Sequence, residues 1–523
     1  MKKPNIICII SDDTDFSYLG CYGGKVLTPN IDNIAEKGVK FTRHYTSTSV
    51  CTPSRYNYLT GRFAGHCDSE QFKKQFPNGE RYNIQWNVHV KDRNQCVGGI
   101  LQDAGYTTGY VGKMHAGIPE RDLNMNWHDG AETEEMLKNV DIDDPRLVAQ
   151  LKNNQDRMRE EMNRIGFDYA ERLNWENVDL YPNSNLQHHN LEWVTEGAIN
   201  FLEEQKGSEN PFFLYMCTTT IHGPDHRDCL NLDPRICSGG LLDKAPDVPM
   251  PARDTVEKRI KEAGIDYTHN AAGALWLDDA IGAVLAKAGE FGLMEDTIII
   301  YQTDHNALAK GSLYDRGIRI PMIMQWDGVF KPGFTSDELA QNIDFIPTLM
   351  DIADIEKTDD MVLDGESLLP ILKGEDKEIH DDLFIEFGIC RGVVTKKWKY
   401  FVISHTEEMI NKMKNGDVSV ALGTMGDLGH FIGPNYQPHW FDHFQLYDLE
   451  NDPTEQINLA GKSEYKEIET EMKAKLQKYL DNISHEYSLD KNPFYETELY
   501  KNLIKESMKK GLPQWLHDEQ KPR

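Results

Sequence analysis

The segment Cys51-Thr-Pro-Ser-Arg-Tyr-Asn-Tyr-Leu-Thr-Gly-Arg62 places a cysteine at the entry of a helix. Pro53 suits the first helical turn, where a missing N–H costs nothing. The helix N-terminus and Arg55 make electropositive surroundings that favour a thiolate, which describes a nucleophile with His115 or His222 as its base. Further chemistry-bearing residues fall just after short apolar runs. Asp12 and Asp13 follow Ile6–Ile10, Lys113 and His115 follow Tyr106–Val111, and His222 follows Pro211–Cys217; Asp304, His305 and Lys310 follow Thr297–Tyr301. Any one of them alone reads as a solvated loop residue. With Cys51, which follows Val39–Tyr45, they form five coincident placements at strand ends, where open α/β sheets collect their functional groups. Competing motifs fail. A P-loop around Gly112-Lys113 would need glycine at position 107, which is Thr107, and Ser or Thr where Met114 stands. There is no G-x-S-x-G, H-E-x-x-H or G-x-G-x-x-G. The pair His188-His189 has no partner at metal spacing and reads as a surface feature.

Positioning such groups takes a sheet. Up to about residue 355, short β-branched runs alternate with helical patterns, which predicts a large, mostly parallel mixed sheet flanked by helices. Thr28-Pro29 opens a helix that Gly38 closes, with Thr28 as the cap; Asn94–Ala104 is helical, and Leu277, Ile281, Val284, Leu285 and Ala288 recur at helical spacing. The polar stretch 118–190 reads as a helical insertion on the surface. After about 375, Phe384–Phe387, Gly392–Thr395, Lys399–Ile403 and Gln445–Leu449 predict a small antiparallel sheet. We therefore expect a catalytic α/β unit over 1–375 and a C-terminal subdomain over 376–523 with a small sheet, a helix and a tail.

The 523-residue chain carries 56 basic and 85 acidic side chains, a formal charge of −29. That excess argues against nucleic acid and anionic membranes as partners, since both need a basic footprint. No apolar run approaches the ~20 residues of a membrane span. A hydrophobic share of 39% supports a large core. Nine scattered cysteines without C-x-x-C exclude a disulfide scaffold or zinc knuckle. The opening Met-Lys-Lys-Pro-Asn-Ile-Ile-Cys reads as a first buried strand. As a native start it implies a cytoplasmic protein, whereas a leader ahead of it would imply a periplasmic or secreted one.

The Cys51–Arg62 segment also resembles the type I sulfatase signature, C-x-P-x-R followed by L-T-G-R, with every fixed position present. Pro4 through Asp13, Thr28 through Asp32, Gly109–His115, Thr303-Asp304-His305, Lys310–Pro321 and Leu446–Leu459 look like blocks of the same family. The resemblance spans nearly the whole chain, weakest in 118–190 and after about 480, and implies an alkaline-phosphatase-like fold. It implies that Cys51 is oxidised to formylglycine by a formylglycine-generating or anaerobic sulfatase-maturating enzyme. Asp12, Asp13, Asp304 and His305 match the family's metal ligands, completed by an oxygen of modified Cys51; His305 stands where the family often has Asn. Oxygen-rich donors suit one Ca²⁺. Electrostatics agrees, because carboxylates about 4 Å apart repel by roughly 4 kcal/mol per pair at an effective dielectric near 20. Arg55, Lys113, His115, His222 and Lys310 match residues that hold the sulfate and the formylglycine.

The implied reaction has one hydroxyl of hydrated formylglycine attack sulfur, His222 with Lys310 protonate the departing alcohol, and His115 deprotonate the second hydroxyl so that sulfate is expelled. A phosphonate monoester or phosphodiester hydrolase of the same superfamily, and a non-catalytic glycan-binding relative, are the alternatives. A sulfated carbohydrate is the expected substrate. Tyr18, Tyr22, Trp86 and Trp127 could stack on sugar rings, and Asp225, His226 and Arg227 lie beside His222 where they could contact a sugar.

Overall fold

Seven of the eight strands in the main sheet run parallel, and five of these are adjacent, so their carboxyl ends share one edge. The computed structural model describes residues 3–116, 138–358, 361–417 and 437–509. In chain order its strands are β1 (Asn5–Ser11), β2 (Val39–Phe41), β3 (His44–Tyr45), β4 (Thr107–Lys113), β5 (Tyr169–Asn174), β6 (Phe212–Cys217), β7 (Ile236–Cys237), β8 (Gly240–Leu241), β9 (Thr297–Thr303), β10 (Met322–Gln325), β11 (Phe334–Ser336), β12 (Ala340–Gln341), β13 (Leu383–Phe387), β14 (Cys390–Val394), β15 (Trp398–Ile403) and β16 (Phe444–Asp448). The main sheet has the order β11-β2-β10-β9-β1-β6-β4-β5, and only β10 is antiparallel to its neighbours. β1, β6 and β9 are nearly continuous apolar runs buried along their lengths, as strands covered on both faces must be.

The predicted strand Val39–Tyr45 divides in two. Thr42 and Arg43 carry the chain from β2 in the main sheet to β3, which pairs with β12. The stretch 118–190 is not only a surface helical insertion. Its described part holds the helix Pro145–Arg164 and then β5, an edge strand that pairs parallel with β4. The sequence of β5, Tyr-Ala-Glu-Arg-Leu-Asn, carries charged residues because an edge strand is half solvated, and that hid it in a polar region.

The helix Pro29–Lys37 forms as expected, but Thr28 does not cap it with its side chain. Thr28 Oγ1 instead donates to Asp32. The orphan N–H groups of Asn30 and Ile31 are satisfied from another element: Asp278, on the 22-residue helix His269–Glu290, accepts both, at 3.1 and 2.8 Å, and also takes Asn30 Nδ2 at 2.8 Å. Gly282 makes this approach possible, since a Cβ there would collide with the Asn30 amide. Asp278 is fully buried. We predict that Asp278→Ala costs about 2–3 kcal/mol by orphaning these donors, seen as a lower urea midpoint at unchanged slope.

The small sheet is an antiparallel meander, β13-β14-β15-β16, covered by the helix Lys466–Leu480 through Met472, Leu476 and Leu480. Its apolar residues belong to the same core cluster as β1, β9 and Tyr314. A buried polar knot also joins the layers. Lys399 of β15 reaches Asp315 at 2.6 Å and Glu455 at 2.7 Å, and Glu455 accepts the Asp315 N–H. Burial, with Asp315 beside it, outweighs Lys399 and pushes the Glu455 carboxyl up to about 7. The knot fixes the Lys310–Pro321 loop to the Leu446–Leu459 segment. Among the described residues no helix is long and apolar enough to cross a membrane, and no disulfide joins any of the cysteines.

Candidate active site

Strand register converges the site. Ser11 of β1 sits opposite Thr303 of β9, and Ile10 opposite Cys217 of β6, so Asp12, Asp304 and the segment after β6 begin at one level. Asp304 N donates to Ser11 O at 3.2 Å and Asp12 N to Thr220 O at 2.7 Å. On the other side β4 delivers Lys113. Gly112 has φ 89°, and a side chain there would run into the Cys217 carbonyl. The pairing of β4 with β5 skips Arg172, a bulge with φ 56° at that residue. Asp13 and His115 also occupy left-handed backbone, at φ 53° and 46°, a strain that persists where the surroundings over-determine a side chain's direction.

Cys51 is the first residue of the helix Cys51–Thr60, whose ten residues are all buried. Its Sγ lies 3.1 Å from His305 Nε2 and 3.6 Å from Asp12 Oδ1. One turn on, Arg55 is 1% exposed and divides its guanidinium between two carboxylates: Nε reaches Asp304 at 3.1 Å and Nη2 reaches Asp12 at 3.3 Å. Lys113, also fully buried, donates to Asp12 and to Asn177. Lys310 holds both oxygens of Asp13 at 3.2 Å, and His305 Nδ1 faces Asp13 Oδ1 at 3.1 Å.

The charges explain one another. Burial works against the Asp12 carboxylate, but Lys113 and Arg55 outweigh it and hold the group well below the usual carboxylate range. Burial likewise opposes Asp13, and Lys310 with His222 and His305 wins. Burial disfavours an imidazolium at His305, but Asp304, Cys51 and Asp13 raise it to about 9. A bound metal ion would replace that proton, since only neutral imidazole has a lone pair to give. His115 is pushed well below 6.5 by burial and by Lys113 and Arg55, so it stays neutral, and its buried Nδ1 has no partner among the described residues. Burial and Lys310 also lower His222, against the pull of Asp13 and Asp12.

Asp12, Cys51, Asp304 and His305 offer ligand atoms all within 4.8 Å of one another, in a fully buried group. Two carboxylates, an imidazole and a fourth donor, drawn from three elements, fit a divalent cation. Asp13 is not in this group; its carboxylate lies against Lys310 and His305 Nδ1.

His222 caps the site from the side. Its Nε2 accepts from Asn177 Nδ2 at 2.8 Å and its Nδ1 donates to Gly223 O at 3.1 Å. The predicted sugar contacts divide. Asp225 caps the short helix His226–Cys229 and pairs with the exposed Arg227. His226 is fully buried, stacked between His189 and His269, and cannot touch a sugar. His188 and His189 are likewise buried and form no surface feature: His189 Nδ1 meets Thr219 Oγ1 and its Nε2 donates to His222 O, both at 2.8 Å. Tyr22 packs with its hydroxyl on the Phe41 and Met322 carbonyls, and Trp86 packs against Phe387. Tyr18 is half-buried beside Asn270; Trp127 lies outside the described residues.

A cysteine at a helix start, sunk among two aspartates, a histidine, one arginine and two lysines, is a site built for an oxyanion. The family model described as Sulfatase matches residues 4–355. The chain belongs to the sulfatase family. A second model, N-sulphoglucosamine sulphohydrolase C-terminal, matches residues 303–415. Among relatives, the chain is 25% identical to an ulvan-active sulfatase of Formosa agariphila, covering 90% of this chain and 78% of that one. It is also 25% identical to an N-acetylglucosamine-6-O-sulfatase of Bacteroides thetaiotaomicron, covering 96% and 89%. A structure solved in complex with its substrate D-glucosamine-2-N,6-O-disulfate superimposes with a TM-score of 0.59 at 20% identity, covering 95% of this chain and 100% of that one, and shares its fold. This sulfatase is a sulfuric ester hydrolase with the alkaline-phosphatase-like fold.

Asn177 is the site residue that sequence reasoning missed. It follows β5 at the same sheet edge as the others, so recognising β5 would have supplied it.

Proposed function

We propose that this sulfatase hydrolyses a sulfate ester on a carbohydrate, using formylglycine made from Cys51 and one Ca²⁺. The observation that carries the reading is the position of Cys51 Sγ, at a helix N-terminus and beside Asp12, His305 and Arg55. Hydrated formylglycine supplies two geminal hydroxyls, one to attack sulfur and one whose deprotonation expels it. Asp12, Asp304, His305 and the modified side chain, with Asp13 adjoining, would hold a divalent ion, which would supply positive charge to the nucleophile and to the sulfate. Oxidation of Cys51 replaces a soft sulfur with oxygen, which tilts the donor set towards a hard cation such as calcium. Cys51 is fully buried, so the maturation enzyme acts before the chain closes over it.

The protein's own groups do the rest. Arg55, Lys113 and Lys310 hold the sulfate oxygens and stabilise charge as the ester S–O bond breaks, in a site where water no longer screens them. His115, neutral and with no partner for Nδ1 among the described residues, takes the proton whose loss expels sulfate. His222, in its protonated form, gives a proton to the leaving oxygen, and Lys310, held as an ammonium by Asp13, donates a hydrogen bond to the same oxygen. Asp225 and Arg227, at the surface beside His222, are the part of the predicted sugar contact we retain. Residues 1–375 form the catalytic unit and 376–523 the subdomain that braces its Lys310 loop. The sugar assignment is supported by relatives named for ulvan and for N-acetylglucosamine-6-O-sulfate.

Competitive kinetics on matched sulfate, phosphate and phosphonate esters tests the reaction class. We expect kcat/KM for the sulfate to exceed the others by about 100-fold or more, as for a site complementary to the transition state of sulfate-ester cleavage. Preference for the phosphonate ester, or no turnover by mature protein, would overturn it.

A further inference from the structure

Beside His222 stands a carboxylate that the reaction does not use. After β5 the chain places Asn177 against Lys113 inside the site, then rises through the short turn Val178–Leu180. Val178 is buried, whereas Leu180 is 57% exposed. Asp179 stands between them at the rim, its side chain 38% exposed, with Oδ1 3.6 Å from His222 Nδ1. That separation is too long for a hydrogen bond, and among the described residues no lysine or arginine pairs with this carboxylate.

The neighbouring cations are already committed. Inside the site Lys113 lies on Asp12, Lys310 on Asp13, and Arg55 on Asp12 and Asp304. Two segments flank His222 towards solvent. Residues 175–181 contain no lysine or arginine, and residues 223–229 contain only Arg227. Its Nε donates to both oxygens of Asp225, at 3.0 and 3.1 Å. The site thus gathers positive charge for one sulfate, and the rim beside the proton donor adds a carboxylate without a cation to offset it.

We propose that Asp179 sets specificity for the leaving sugar: it admits one whose groups near the ester are neutral hydroxyls or amides, and rejects one carrying a second sulfate there. The inference rests on the carbohydrate-sulfatase reading. His222 meets the leaving oxygen, so the substituents next to that oxygen face Asp179 one imidazole ring away. An ionised carboxylate only accepts hydrogen bonds. A hydroxyl or amide N–H donates to it, whereas a sulfate, which also only accepts, sets two like charges together with no donor between them. Selectivity of this kind comes from a repulsive element as much as from an attractive one. In a cleft partly closed to water the repulsion is stronger than in bulk, and salt weakens it.

We would measure kcat/KM of mature wild type, Asp179→Asn and Asp179→Ala on N-acetylglucosamine 6-sulfate and on glucosamine 2-N,6-O-disulfate. 4-Nitrophenyl sulfate serves as an ester with no charged neighbour. The readout is the ratio between the two sugar esters, from which any common loss through His222 or through folding divides out. We expect the wild type to favour the monosulfate by about tenfold or more at low salt, and both variants to cut that preference by about fivefold or more. Raising the ionic strength to about 0.5 M should shrink the wild-type preference by about threefold and leave the variant ratios nearly unchanged. An unchanged ratio in both variants, a wild type that prefers the disulfate, or turnover of the nitrophenyl ester with neither sugar would overturn the proposal. Silence on all three esters would overturn the sulfatase reading itself, and the proposal with it.

Discussion

Cys51→Ala removes turnover of sulfate esters while leaving the protein folded. The side chain is buried against His305 and Asp12 at the start of a ten-residue helix, and it is the one cysteine in the buried group with Asp12, Asp304 and His305 among the described residues. Losing covalent catalysis leaves only binding and electrostatic help, so kcat/KM falls by about 10⁴ or more, about 5 kcal/mol of transition-state stabilisation. The lost packing is one small side chain, worth roughly 1 kcal/mol, so the thermal midpoint moves by no more than a few degrees. Matched kinetics and thermal unfolding on the two proteins check both halves. An alanine variant with even a tenth of wild-type activity would place the nucleophile elsewhere.

Arg55→Met carries the second large effect, and here stability and activity fall together. The guanidinium is buried between Asp12 and Asp304, and methionine fills similar space without charge. Two buried carboxylates then lose a partner, which costs about 3–5 kcal/mol of stability, and the sulfate loses one of its cations, which lowers kcat/KM by about 10³. Adding Asp304→Asn to Arg55→Met removes one of the stranded charges. The double variant should therefore regain part of the lost stability and none of the activity, a coupling that only groups in contact show. A single variant as stable as wild type would mean that the carboxylates are compensated by something other than Arg55.

The sheet was legible because β1, β6 and β9 are continuous apolar runs, and the rule that places function at their carboxyl ends points to Asp12, Asp13, His222, Asp304 and His305. Cys51 and Arg55 were legible from a motif whose spacing has a physical reason, one helical turn. β5 was not, since an edge strand reading Tyr-Ala-Glu-Arg-Leu-Asn carries neither an apolar run nor clean alternation, and with it Asn177 was lost. His226 illustrates the converse error. A histidine beside an Asp and an Arg looks exposed in a sequence, but Gly273 on the helix His269–Glu290 leaves room for its ring, and the structure buries it between two other imidazoles. Thr28 sits at an ideal cap position, yet the cap arrives from Asp278, almost 250 residues away; no local rule can see that. The contact of Asp13 with Lys310, 297 residues on in the chain, is likewise a tertiary fact.

Everything in the catalytic reading depends on the chemical state of residue 51. Mass spectrometry of the peptide containing Cys51–Arg62, taken from protein co-expressed with a maturation enzyme and active on a sulfate ester, tests it directly. We predict the mass loss that accompanies conversion of CH2–SH to an aldehyde, with a hydrazide probe trapping the carbonyl and its extent tracking specific activity across preparations. An unmodified thiol in fully active protein would contradict the account.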